Sequence, residues 1–167
     1  IVEETNYLVM ESTYGNRLHN TTDPKEELAE VINKTSHRGG VTIIPAFAVG
    51  RAQAVLWLIH LLKKGGKIPD LPIYLDSPMA TDATDLYCRF SDEHRLSHEE
   101  CALMCRTAKF ITTPDESKTL DHGQSPKVII SASGMATGGR VVHHLKAFIG
   151  DPRNTVLFTG YQAAGTR

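Results

Sequence analysis

Arginine and glycine keep company along this chain. Arg17, Arg51, Arg140 and Arg167 fall in ESTYGNRLH (11–19), AFAVGRAQ (46–53), SASGMATGGR (131–140) and GYQAAGTR (160–167), each of which follows a run of apolar residues. A guanidinium grips phosphate with a planar fork of donors. Glycine just ahead of a helix lets backbone N–H groups and the helix dipole meet the same anion. Two carboxylates lie in comparable places, Glu11 and the Asp76 of DSPMA (76–80). The set suits a phosphate-rich ligand, with the acids left for orienting or proton-transfer work. The structural alternative is that the arginines pair with those acids and the glycines only shape turns.

One loop comes close to a nucleotide-binding pattern. Gly134-x4-Gly139-Arg140-Val141 places Arg140 and Val141 where a P-loop needs Lys and Ser/Thr. Valine cannot ligate Mg²⁺, so NTP hydrolysis is not expected. The glycines and hydroxyls of this turn, Ser131, Ser133 and Thr137 among them, still suit a phosphodiester. A second pattern, His94, His98, Cys101 and Cys105, reads as one face of a helix. It would stretch over ~16 Å, too far for four ligands to reach one ion. Two surface histidines and two half-buried thiols are the expectation, with no metal site in the chain. His143 and His144 likewise read as helix surface.

The elements that must carry these residues alternate regularly. NYLVMES (6–12), VTIIPA (41–46), PIYLDS (72–77), AKFITT (108–113), KVIISAS (127–133) and TVLFTG (155–160) read as strands. Their continuous apolar character fits a sheet covered on both faces. Helices are expected between them. One starts with Asp23 as N-cap and Pro24 at its first position, and ends before Gly39. Another carries Ala52, Val55, Leu56, Ile59 and Leu62 on one face and stops at Gly65-Gly66. MATDATDLYCRF, SHEECALMCRT and GGRVVHHLKAFI continue the series. The fold class is therefore α/β: an open, mostly parallel, Rossmann-like sheet of about six strands with helices on both faces. Ligands of such sheets sit at the carboxyl ends of the strands, where the arginine and glycine stretches fall.

Composition narrows the field. With 167 residues and a net charge of -1, one domain is expected, and general polyanion binding is not. Three cysteines, an odd number, suggest a reducing, cytoplasmic setting. No apolar run approaches the ~18 residues of a membrane span. The chain opens at Ile1 and reads as a piece of something longer.

Taken in order, ESTYGNRLH, IPAFAVGRAQ, YLDSPMA, SASGMATGGRVVHHL and DPRNTVLFTGYQAAGTR resemble the β-CASP domain of RNA-processing nucleases of the metallo-β-lactamase fold. That family includes ribonuclease J and the nuclease subunit of the cleavage and polyadenylation specificity factor. The resemblance implies that residues 1–167 are a domain inserted in a metallo-β-lactamase domain absent from this chain. It implies an RNA clamp in a two-zinc phosphodiesterase, with the zinc ligands and both ions outside the chain. Glu11 matches the family's acidic motif and is the expected catalytic residue. Arg17, Arg51, Ser133, Gly134, Gly138, Gly139, Arg140 and Tyr161 are the expected phosphate-facing set. Asn16 stands where the family often has an acid, and Ala136 where it often has Cys. Expected partners are RNA, the metallo-β-lactamase domain of the same protein and, in a homodimer, a second copy, but no membrane. A catalytically dead scaffold, or a freestanding phosphate-binding module, are the alternatives.

Overall fold

The computed structural model describes residues 3–166. Along the chain run α1 (Pro24–His37), β1 (Val41–Pro45), α2 (Arg51–Lys64), β2 (Ile73–Asp76), α3 (Pro78–Arg89), α4 (His98–Arg106), β3 (Lys109–Phe110), α5 (Pro114–Leu120), β4 (Lys127–Ser131), α6 (Arg140–Phe148) and β5 (Thr155–Val156). A 3-10 turn, Ser91–Glu93, joins α3 to α4. The sheet order is β3-β2-β4-β1-β5 and every ladder is parallel.

Alternation along the strands separates two cores. Ile44, Leu75, Val128 and Ile130 pack with Leu28 and Ile32 of α1, Val55, Leu56 and Ile59 of α2, and Met104 of α4. Val41, Ile43 and Ile129 face the other way, onto Leu120 of α5 and Val141 and Phe148 of α6. With helices on both faces, every residue of β1 and β4 is buried, which explains the unbroken apolar runs. No helix among the described residues is long and apolar enough to cross a membrane.

Helix starts follow local chemistry. Asp23 accepts from the Lys25 amide, Ser77 from Ala80, and both Ser97/Glu100 and Thr113/Glu116 form reciprocal capping boxes. At the amino end of β1, Gly40 is a steric requirement. A Cβ there would sit 1.8 Å from the Arg153 carbonyl oxygen. Beside it, the Val41 amide donates to Asn154 Oδ1 at 2.8 Å, closing β1 onto the segment that leads into β5.

Among the described residues the sheet has five strands rather than six. Residues 6–12 form no strand, and Tyr7, Leu8, Val9 and Met10 are all exposed. An apolar run becomes a strand only where a neighbour offers a ladder, and among the described residues none does. Helix α5 lies between two expected strands, where no helix was anticipated. His94 is not on α4 either. The Ser97 cap starts that helix at His98, and His94 folds back to stack on Tyr87 with ring centroids 3.8 Å apart.

Candidate functional site

Two clefts open at the carboxyl edge of the sheet. The first, of about 350 Å³, is walled by Tyr14, His19, Arg51, Leu58 and Phe158–Gly160. The second, of about 500 Å³, is formed by Phe47, Asp76, Ser77, Met79, Ser133, Gly134, Gly139 and Arg140. Phe47 belongs to the loop that follows β1, and its ring fills the space left by two glycines. A Cβ on Gly134 would lie 2.6 Å from that ring and 2.8 Å from the Phe47 amide nitrogen, and one on Gly160 would lie 3.3 Å from the ring. Gln162 Nε2 ties the same corner by donating to the Gly134 carbonyl at 2.9 Å.

Helices α2 and α6 start beside these clefts, and neither has a side-chain N-cap. Their N-cap residues are Gly50 and Gly139, both at positive φ. The other four helices are capped by Asp23, Ser77, Ser97 and Thr113. At α2 the first amides are taken by the carbonyls of Val49 and Phe47. At α6 the amides of Gly138, Gly139 and Arg140 have no partner among the described residues. Free amides at a helix N-terminus are the usual receptor for a phosphate oxygen.

Beneath the second cleft lies a buried charge network. Asp76, the last residue of β2, is wholly buried. It accepts hydrogen bonds from Arg140 Nη1 at 2.6 Å, from His144 Nε2 at 2.7 Å and from the Ser117 hydroxyl. His144 turns its other nitrogen, Nδ1, to Asp121 Oδ1 at 2.6 Å. Carboxylates at both ring nitrogens require both to carry protons, so His144 is an imidazolium. Burial by itself would lower its pKa, but the hydrogen bonds and charges of Asp76 and Asp121 outweigh burial and raise it. Burial likewise pushes Asp76 up, and the bonds from His144, Ser117 and Arg140 bring it below its ordinary value. His144 is therefore core, not helix surface as its sequence context suggested.

The expected site residues fall into three groups. Ser133, Gly134, Gly139 and Arg140 line the second cleft, and Gly138, just before Gly139, leaves its amide open. Arg51 lines the first cleft, exposed, and its guanidinium has no partner among the described residues. Tyr161 stands nearby, edge-on to Tyr14 at 6.0 Å. Glu11 and Arg17 lie on the exposed amino-terminal segment and line neither cleft, although Tyr14 and His19 of that segment wall the first. Glu11 is anchored by the Thr13 amide, which lowers its pKa. Arg167 lies outside the described residues. Arg140 differs from Arg51 in that its guanidinium is engaged within the fold, by Asp76 and by the carbonyls of Ile111 and Thr112. Phe47, Met79, Tyr14 and His19 are wall residues that the sequence did not single out. No group of three or more His, Cys, Asp or Glu side chains among the described residues could hold a metal ion.

A model of the Beta-Casp domain matches residues 52–167. The chain belongs to the Beta-Casp domain family. Its relatives include Ribonuclease TTHA0252 of Thermus thermophilus, 39% identical over 165 residues, which cover 95% of this chain and 38% of that protein. An RNase J-like protein of Methanocaldococcus jannaschii is 36% identical over 168 residues, covering 99% of this chain and 39% of its own length. Transcription termination factor FttA of Methanosarcina mazei is 35% identical over 169 residues, covering 95% and 26%. This Beta-Casp chain thus spans well under half the length of these relatives. The matched stretch contains the whole Asp76–Arg140–His144 network, while Glu11, Arg17 and Arg51 precede it.

Proposed function

We propose that this chain is the RNA-gripping domain of a zinc-dependent RNA phosphodiesterase of the metallo-β-lactamase fold, into which it is inserted. The observation that carries the reading is the sheet edge itself. It joins an unengaged arginine, Arg51, to a glycine-rich helix start with three open amides. Relatives named ribonuclease and RNase J-like support RNA as the phosphodiester. A cytoplasmic setting accords with that substrate.

In this reading Arg51 and the Gly138–Arg140 amides hold backbone phosphates, with Arg17 and Ser133 as outlying donors. Phe47, Tyr14 and Tyr161 offer ring faces to bases or sugars. The Arg140 side chain, clasped by Asp76, sets the position of the amides and does not touch RNA. Since the described residues do not suit a metal, the zinc ligands would come from other parts of the intact protein. Bound there, the ions would activate water and neutralise charge on the phosphodiester. Glu11 would handle a proton at the boundary between the two domains.

Salt titration of RNA binding by the intact protein tests this. Arg51→Ala should weaken binding evenly across RNA sequences and reduce the slope of log affinity against log salt by ~0.7, one single-strand phosphate contact. A slope unchanged from wild type would remove Arg51 from the interface.

A further inference from the structure

Away from the sheet edge, the packing of α3 against α4 gathers three thiols. Cys88 Sγ lies 3.1 Å from Cys105 Sγ, inside the van der Waals contact of two sulfurs, and 3.8 Å from the Cys101 carbonyl oxygen. Cys101 is fully buried, whereas Cys88 and Cys105 are half-buried and within reach of small solutes. Among the described residues no group of three or more His, Cys, Asp or Glu side chains, this cluster included, could hold a metal ion, although His94 Nε2 lies 3.8 Å from Cys101 Sγ. The nearby His94 has Nε2 against the Tyr87 carbonyl at 2.8 Å, and its ring is stacked on Tyr87. Simple core packing accounts for Cys101 but not for two half-exposed sulfurs in contact.

We propose that Cys88 and Cys105 form a reversible disulfide, a redox-responsive clasp between the last turns of α3 and α4. The oxidant is a small disulfide of the glutathione class. One cysteine, as thiolate, attacks a sulfur of that disulfide and expels one reduced glutathione, forming a mixed disulfide. The second cysteine gives up its proton and attacks the protein sulfur of the mixed disulfide, expelling a second reduced glutathione. Two protein thiols are oxidised, and one glutathione disulfide is reduced to two thiols. Burial, and then the neighbouring Cys105, push the Cys88 thiol up to about 11. Little Cys88 is therefore present as thiolate at neutral pH to start the exchange.

The bridge would enclose the 3-10 turn and its flanks, residues 89–104. Tyr87, Glu93, His94, Arg95 and Leu96 from this region form, with Trp57, a separate cleft of about 560 Å³ on the α2 side. Closing a loop of this length should raise the melting temperature by roughly 5–10 °C.

The experiment equilibrates the intact protein with oxidised glutathione, alkylates the remaining thiols, digests without reductant and maps the peptides by mass. Cys88 joined to Cys105, Cys101 alkylated, and a melting-temperature rise undone by reduced glutathione are expected. Cys105→Ser should abolish the cross-link and the rise together. Any of four results overturns the proposal: all three thiols alkylated, Cys88 joined to Cys101, glutathione persisting on Cys88 or Cys105, or a retained zinc ion shielding the thiols. Peptide mapping of wild type decides the matter even if the serine variant folds poorly.

Discussion

Arg140 and His144, one turn apart on α6, converge on the same carboxylate, with Arg140 Nη1 2.6 Å from Asp76 Oδ1 and His144 Nε2 2.7 Å from Asp76 Oδ2. A single residue at the tip of β2 thereby fixes both the rotation of α6 and the height of the glycine-rich turn before it. The sheet edge is held from below by charge and presented above as amides.

Arg140→Ala should therefore act on the fold. It leaves Asp76 buried with a partner missing and should lower stability by roughly 2–4 kcal/mol, tempered by the partial exposure of the arginine. The salt slope of RNA binding should stay at the wild-type value, unlike that of Arg51→Ala. Urea melts and salt titrations of both variants read the contrast. A shallower slope for Arg140→Ala with unaltered stability would return its guanidinium to the RNA.

The network also sets a pH window. The His144 pKa is raised, so its contribution is complete below its ordinary 6.5 and is lost as pH rises through the folded value. The Asp76 pKa is lowered, so its contribution is complete above its ordinary 3.8 and is lost as pH falls through the folded value. Wild type should hold a stability plateau between those two figures and decline on either side. His144→Gln should flatten the alkaline decline. Melting temperatures from pH 4 to 9 would show it, and parallel alkaline limbs for the two proteins would refute an imidazolium at this position.

Two glycines four residues apart should behave differently. Gly134→Ala drives a methyl into Phe47 and should cost about 1–3 kcal/mol while disturbing the second cleft. Gly138→Ala meets nothing within 4 Å and should change stability by no more than ~0.5 kcal/mol. Equal losses in a denaturant series would mean that Phe47 yields more readily than its packing implies.

On the proposed function, Glu11→Gln in the intact protein should preserve folding and any bound metal yet slow RNA cleavage by ~10²–10⁴, the range for loss of a proton-transfer group. Unchanged turnover would leave Glu11 only its bond to the Thr13 amide.

Much of the fold was legible from apolar runs and helix punctuation. Residues 41–45 and 127–131 are buried on both faces, and Asp23-Pro24 starts α1 as expected. The run at 6–12 misled because apolar content does not say whether a partner strand exists. Signals for two other corrections were present. Val141, His144 and Phe148 share a spacing of three and four, so His144 sits on the apolar stripe of α6 and needs polar partners there. Ser97-x-x-Glu100 and Thr113-x-x-Glu116 mark the true starts of α4 and α5. The convergence of Asp76, Asp121 and His144 was not legible, since their proximity depends on how the strands are ordered.

That order bears on the birth of the protein. β1 and β2 follow each other along the chain, but in the sheet they never touch, because β4 lies between them. A nascent chain that has emerged only as far as Leu120 holds β1 and β2 with a strand-wide gap at their centre. Neither ladder can zip until Lys127–Ser131 leaves the ribosome. The middle of the sheet thus stays open until β4 emerges, with only the edge strand β5 still to follow, and until then two apolar edges stand open to chaperones or to each other's copies on neighbouring chains.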